Sequence, residues 1–562
     1  MSEHFTADEL RRLAPFFTDL DAPIFGLNLP QEVAGALFSR YSRSTRSLRR
    51  IFLLEFLDHC EVPDGGRDAA NPDAALQKAR AFYDRVLVGY GDDSVAQLGG
   101  AHLACEGVSN VVAKLIEDAR IGIAPLEKSS RYVRFDQRDA AGDYPIYPEP
   151  TLLASRHRDA YLSVMNLLFE TYSRQIDPMI AWMEKASPIT EVTLKHPQTG
   201  EPLTYDAIRG DAVLLKQAQV AYRATIRAAA CDALRAYLPA ATRTNVGLFG
   251  SGQAFEYLLT KLYSHPLAEA RQVAAAAHLA LNALIPSFVK RAGFSPYLAQ
   301  GHEADQALAA EIARAMPVDD SPPVTLVDYD SHAEEKIIAA LLYSHARQPL
   351  TQLRARVARM TADERVAILK EVFSRRQNRR EKPGRAFEQV YYTFDLLGNL
   401  GLYRDLHRHR LLTQERQDFT TDHGYDTPPA IEAMGFATAF HNCMAKAAVL
   451  YTQIRADLPH AAQYVVPFAY RIRWYMKMNL REAVHIGELR TTPQGHADYR
   501  RIVQEMWRKI GEVHPGLADC AKFIDWKEYD LGRLQSEMRT EHKKTIVSMY
   551  GGGMYGGMGY GG

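Results

Sequence analysis

Cysteine is scarce: Cys60, Cys105, Cys231, Cys443 and Cys520 are scattered along 562 residues, and no two form a C-x-x-C pair. That spacing excludes a disulfide scaffold and a thiol-rich metal site, and it points to a reducing, cytoplasmic compartment. An excess of one charge is missing too. The 67 basic side chains meet 67 acidic ones, so the basic surplus of a nucleic-acid-binding domain is absent. No apolar run reaches the roughly 18 residues of a spanning helix, which argues against a membrane protein. The opening MSEHFTADELRRL lacks the basic-then-apolar order of a secretory signal. Strand-like runs are few. VTLVDYD at 324–330 reads as a short strand, and helical periodicity dominates the rest.

What is present is a globular composition with chain enough for roughly two to four domains. A weak internal repeat runs through it. FGLNLPQEVAGALFSRYS at 25–42 parallels VDYDSHAEEKIIAALLYS at 327–344, and GVSNVVAKLIEDAR, ending at Arg120, parallels LGNLGLYRDLHRHR, ending at Arg410. RAYLPAATRTNVGLFGSGQAFEYLL parallels QYVVPFAYRIRWYMKMNLREAVHI, with Pro239 matched to Pro467. The offsets are 302, 290 and 228, so a repeat requires an insertion of about 60 residues in the first half, near 140–205. The expected organisation is α+β, mostly helical with small sheets. A first domain spans 1–305, a linker 306–325 and a second domain 326–545. A Gly/Tyr/Met-rich tail at 546–562, eight of whose last twelve residues are glycine, is expected to be disordered.

Three constellations carry chemistry. Asp405-Leu406-His407-Arg408-His409-Arg410 packs two arginines and two histidines into four positions, which repel unless an anion or acidic partner compensates. Alone, the run reads first as a basic, solvated helix end. A metal reading of His407 and His409 is weaker, because the flanking arginines oppose a cation. Glu127-Lys128-Ser129-Ser130-Arg131-Tyr132 combines a hydroxyl, a turn and an arginine, which suits an anion but is also common loop chemistry. The third, NLREAVHIGELR at 479–490, places Arg481 and His485 on one helical face, with Asn479 and Arg490 nearly eclipsed. Its bland reading is an exposed face with salt bridges to Glu482 and Glu488.

Taken in order, these segments resemble the flavin-dependent thymidylate synthases, in which R-H-R-x-x-S continues directly into E-x-S-x-R-Y. The second half keeps Arg408-His409-Arg410, with Thr413 at the family's serine, but Arg416-Gln417-Asp418-Phe419-Thr420-Thr421 has lost E-x-S-x-R-Y. The first half keeps Glu127, Ser129, Arg131 and Tyr132, while Asp118-Ala119-Arg120 stands at the R-H-R place. Arg235 resembles the family's nucleotide-contacting arginine, replaced by Gln463 in the second half. Asn479, Arg481 and Arg490 resemble its late flavin and nucleotide positions, where the first half has Ser251, Gln253 and Leu262. Glu388 precedes Arg408 by a family-like twenty residues, and His485 stands where the family commonly has another polar flavin contact.

The losses are complementary, and the resemblance therefore implies a fused pseudo-dimer with composite sites built from both halves. Two chains would make a pseudo-tetramer. The implied reaction is FAD-dependent methylation of dUMP to dTMP with methylenetetrahydrofolate and NADPH. Glu388, Arg408, His409, Arg410, Asn479, Arg481 and His485 would hold the flavin. Glu127, Ser129, Arg131, Arg235 and Arg490 would hold the nucleotide, Arg408 and Arg490 would be catalytic, and no metal is implied. The cysteine-dependent route is not favoured, since Cys105 in LACEGVS and Cys443 in HNCMAKA lack a Pro-Cys-His setting. Three other readings stay open. They are a methylase of another pyrimidine nucleotide, a decayed paralogue that binds nucleotide or flavin as a regulator or scaffold, and a helical interaction protein.

Overall fold

A computed structural model describes residues 4–57, 96–317 and 321–550. Two compact units form. One comprises Met1–Lys128 with Thr244–Met316, the other Ser129–Arg243 with Pro317–Gly562. Both are largely helical with small sheets, the α+β class read from the sequence. No helix among the described residues is long and apolar enough to cross a membrane.

The first unit holds β1 (Gly100–Ser109), β2 (Ile123–Glu127) and β3 (Arg243–Ser251), in the order β1-β3-β2. Along β3, Thr244, Val246, Leu248 and Gly250 are buried and the residues between them are not, the period-two pattern of a half-covered sheet. The second unit holds β4 (Val324–Tyr329), β5 (Tyr391–Asn399), β6 (Thr413–Arg416) and β7 (Arg471–Asn479), in the antiparallel order β4-β5-β7-β6. The strand expected at 324–330 is thus β4. The order β5-β7-β6 repeats β1-β3-β2.

The junctions repeat as well. Four strands run directly into helices, and at each junction a Ser or Asn side chain accepts an otherwise orphaned amide of the first turn. Ser109 caps Asn110–Glu117 and Ser251 caps Gly252–Tyr263. Asn399 caps Leu400–Leu406 and Asn479 caps Leu480–Arg490. In β2 Glu127 faces Val246, and in β6 Arg416 faces Trp474, residues 228 apart like Pro239 and Pro467. Arg416 therefore occupies the sheet position of Glu127.

Inside the second unit, Pro239 and Pro467 themselves meet in an antiparallel bridge. Around them Ala240 N donates to Val466 O and Ala241 N to Tyr464 O. Reciprocally, Phe468 N donates to Leu238 O and Ala469 N to Ala236 O. Two segments that correspond in the repeat contact each other through the same residues, which is the signature of a local two-fold axis.

The compact units divide the chain differently from the expected halves. Residues 129–243, expected in a domain at 1–305, fold into the second unit because their long helices find their partners there. Arg158–Ala186 packs on Ala212–Leu234 and Ala437–Asp457, and Ala212–Leu234 also packs on Leu534–Tyr550. The region near 140–205 is not merely loop. Arg158–Ala186 turns Tyr161, Met165, Leu168, Phe169, Tyr172, Ile176 and Met179 into the core. Part of the expected 306–325 linker is helical, since Pro296–Ala313 starts at a Ser295 cap with proline at its first position. The last helix extends to Tyr550, beyond the expected boundary at 545, and the glycine-rich remainder at 551–562 lies outside the described residues.

Candidate functional site

Helix Leu400–Leu406 is buried at every position, which dictates how the following basic run is arranged. Histidines and arginines alternate in and out. His407 is buried and stacks on Tyr403 at 5.0 Å, and His409 is buried. Arg408 and Arg410 are exposed. The repulsion inherent in the run is relieved by separating the cations and by supplying two carboxylates, Asp405 and Glu482.

Asp405 lies in a nest of arginines. Arg235, itself buried, approaches its Oδ2 through both terminal nitrogens at 3.4 and 3.5 Å. Burial alone would raise the Asp405 carboxyl, but Arg235, Arg131, Arg408 and Arg490 outweigh it and hold the group well below the usual carboxylate range. Among the described residues nothing hydrogen-bonds to its Oδ1. Arg131 is tied more tightly. Its Nε and one terminal nitrogen each donate to Asp232 at 2.8 Å, a bidentate pair, and the other terminal nitrogen donates to Tyr499 Oη at 3.2 Å. Asp232 too is lowered against its burial, chiefly by Arg131, with His496 and Arg235 adding to the effect.

Arg490 closes the group from the far end of helix Leu480–Arg490. Its Nε donates to His409 Nε2 at 2.8 Å, and its guanidinium lies 5.8 Å from the Tyr499 ring centroid. His409 Nδ1 meets Glu482 Oε1 at 3.0 Å. One turn on, His485 Nδ1 accepts from Lys382 Nζ. Burial pushes the His485 ring down to about 4 and raises the Glu482 carboxyl, so both are drawn toward their neutral forms. His409, Glu482 and His485 offer ligand atoms within 4.8 Å of one another. The set does not suit a cation, because Lys382 and Arg490 already donate to the two rings.

The residues singled out from the sequence fall into three groups. Arg131, Arg235 and Arg490 converge on Asp405 and Tyr499, with Arg408 contributing through its charge. Arg481 and Glu388 pair at 3.3 Å, and Arg481 Nε donates to Pro383 O at 2.8 Å. Asn479 spends its side-chain oxygen on the Glu482 amide at 2.9 Å. Ser129 Oγ accepts from Arg131 N at 3.3 Å, which shapes the turn that presents the guanidinium. Glu127 belongs to the other unit, where Lys114 Nζ binds its Oε2 at 3.0 Å and also reaches Glu117. Sequence reasoning passed over Asp232, His496, Tyr499 and Lys382 and gave Asp405 no role. Asp232 carried a signal, since it stands three residues before Arg235, about one turn, at the end of helix Ala212–Leu234.

The donors that remain suit an acceptor-rich anionic cofactor. Arg408 makes no hydrogen bond among the described residues, and Asn479 keeps its amide nitrogen. His409 offers no free polar edge, since both ring nitrogens are taken. The four described cysteines are unpaired and buried, with burial pushing Cys105 and Cys231 up to about 11. They are thiols at neutral pH, not nucleophiles.

Against known proteins, the family model described as thymidylate synthase complementing protein matches residues 57–287 and again 325–516. A UPF0159 protein of Chlamydia pneumoniae is 40% identical over 548 residues, covering 96% of this chain and 98% of the relative. One from Chlamydia muridarum is also 40% identical over 548 residues, covering 95% and 98%. One from Thermoplasma acidophilum is 34% identical over 517 residues, covering 91% and 98%. Among solved structures, a UMP/dUMP methylase PolB from Streptomyces cacaoi, bound with 5-Br dUMP, aligns at a TM-score of 0.29 and 15% identity. That alignment covers 36% of this chain and 94% of the other.

Proposed function

The chain belongs to the thymidylate synthase complementing protein family, the flavin-dependent thymidylate synthases, and from that premise we propose that it methylates dUMP to dTMP. The proposed site is the nest around Asp405. The observation that carries the reading is its charge. Arg131, Arg235, Arg408 and Arg490 bring four positive charges, and Asp232 and Asp405, both held ionised, return two. The surplus of two matches a phosphomonoester dianion.

In this reading Arg235 takes the phosphate, since its long contacts to Asp405 leave the guanidinium able to donate to a stronger acceptor. Arg131, locked by Asp232, and Ser129 shape the wall beside it. Arg490 turns its terminal nitrogens, beside Tyr499, to the pyrimidine ring, where they stabilise negative charge that develops on its carbonyl oxygens. Arg408, Arg410, Asn479, Arg481, Glu388 and the edge of His485 hold FAD. The bound flavin supplies the electrons, with NADPH as their source and methylenetetrahydrofolate as the source of carbon. The local two-fold at Pro239 and Pro467 supports a fused pseudo-dimer, and we place two chains in a cytoplasmic pseudo-tetramer.

A second reading, nucleotide binding without turnover, draws on the fact that Arg131 and Arg235 already carry internal aspartate partners. One experiment separates the two. Protein purified without added cofactor is examined for a bound-flavin absorption spectrum, then assayed for dTMP with dUMP, NADPH and methylenetetrahydrofolate. A yellow protein that forms dTMP supports the first reading. A protein that binds dUMP and forms no dTMP with added FAD supports the second, and turnover of a different pyrimidine nucleotide redirects the substrate.

A further inference from the structure

We propose that His409 is a positioning residue: the Glu482–His409 pair fixes the direction of the Arg490 guanidinium, and His409 itself touches neither nucleotide nor flavin. The inference rests on the reading of Arg490 as a substrate-facing group.

The hydrogen bonds leave one assignment. An arginine Nε can only donate, so His409 Nε2, 2.8 Å from Arg490 Nε, must accept. A neutral imidazole has one acceptor and one donor nitrogen, so the proton sits on Nδ1, which faces Glu482 Oε1 at 3.0 Å. The ring is buried and its plane is set by the edge of His485, with centroids 5.6 Å apart at 68°. Burial, Arg490 and Lys382 all disfavour the charged ring, which keeps Nε2 available as an acceptor.

The brace is anchored at both ends of one helix. Glu482 sits in its first turn, with its amide on the Asn479 cap at 2.9 Å, and Arg490 is the last residue. A free arginine samples many rotamers, and ordering it on binding carries an entropic cost. A guanidinium braced beforehand spares the ligand that cost. Glu482 stands inside the 479–490 segment, at a position to which the family resemblance assigns no role.

Two measurements test it on the full-length protein. Ring-nitrogen NMR of ¹⁵N-histidine-labelled protein, with Glu482→Gln and Glu482→Leu, reads the tautomer, and His409→Gln assigns the signal. The expected result is an Nδ1–H tautomer that survives Glu482→Gln and is lost in Glu482→Leu. An Nε2–H tautomer in the wild type overturns the brace. The second measurement is a dUMP titration over a double-mutant cycle of His409→Ala with Arg490→Lys. Loss of the imidazole should weaken binding roughly tenfold beside Arg490 and less than twofold beside lysine. An equal loss in both backgrounds means that His409 meets the ligand directly and refutes the proposal. If the wild type binds no dUMP, the nucleotide reading fails, while the ring spectrum still decides the brace.

Discussion

Replacing Arg235 by glutamine puts into the first copy of the repeat the residue that the second copy has at the matching place, Gln463. The structure gives this change two separable effects. Among the described residues the Arg235 side chain hydrogen-bonds only to Asp405, at 3.4 and 3.5 Å. Removing one partner of a buried pair commonly costs about 3–5 kcal/mol. Here the contact is long and Arg131, Arg408 and Arg490 still face the carboxylate. We therefore expect about 1–3 kcal/mol of lost stability at pH 7, read by urea denaturation. Asp405 is held below the ordinary carboxylate range, so its contribution is complete above the unfolded pKa of about 3.9 and fades as the pH falls toward the folded value. The gap between variant and wild type should accordingly be full at pH 7 and narrow below about pH 4. The second effect is on the ligand. Loss of one charge-assisted hydrogen bond to phosphate, about 1.5–3 kcal/mol, should weaken dUMP by about 10- to 150-fold in a calorimetric titration. Affinity within twofold of the wild type would refute Arg235 as the phosphate's partner. A stability gap that widens in acid would refute the account of Asp405.

Other consequences are as direct. Arg408→Ala changes an exposed side chain, so its stability should stay within about 0.5 kcal/mol of the wild type. Flavin absorbance after purification should nevertheless disappear, and an undiminished flavin content would move the cofactor elsewhere. Gly487→Ala would place a methyl 2.1 Å from Trp507 Nε1 inside helix Leu480–Arg490. Despite the better helix former, it should lower stability by about 1–3 kcal/mol, and a rise in Tm would contradict the packing. Native protein should titrate no more than one thiol with an aromatic disulfide at pH 8, because Cys105, Cys231, Cys443 and Cys520 are buried. Unfolded protein should titrate five. Calorimetry should return one dUMP per chain, and two would restore a role to the second copy.

The sequence carried the class, the repeat and the basic runs, because these lie in periodicity and in residues close along the chain. Matching Pro239 with Pro467 required only counting, and the structure made the two residues neighbours. The compact units were not legible. Whether Arg158–Ala186 packs with the strands before it or with Ala437–Asp457 depends on faces far apart in sequence, as where Thr171 meets Cys443, 272 residues on. The same limit applied to the site. Arg131, Arg235 and Arg490 could be named from short motifs and the family resemblance they carry. Their partners are set by contacts at long range, as between Arg235 and Asp405 or Arg131 and Tyr499. Burial was the other hidden variable. His409 reads as a ligand-binding residue in a basic run until its two nitrogens are found committed.

A closed two-fold dimer shows each residue twice, so losing an arginine from one site removes it from both. Fusion breaks that constraint, and the two copies here have diverged in charge. At the helix after the first strand, Lys114 in one copy stands where Arg404 stands in the other, 290 positions on. Lys114 is fully buried and joined to Glu117 and Glu127 in an ion triad internal to its unit. Arg404 instead donates to Ser130 Oγ at 2.9 Å, beside the turn that presents Arg131. Arg416, at the sheet position of Glu127, reverses the charge that Lys114 uses. Gln463, in place of Arg235, turns its side-chain oxygen to the Phe419 amide at 3.1 Å. At the Lys114 and Gln463 positions, then, the side chain is committed to bonds within its own unit. Among the described residues Gln463 is buried and its side chain hydrogen-bonds only to backbone groups, Phe419 N and His460 O, so an arginine restored at 463 should need a counter-ion supplied with it.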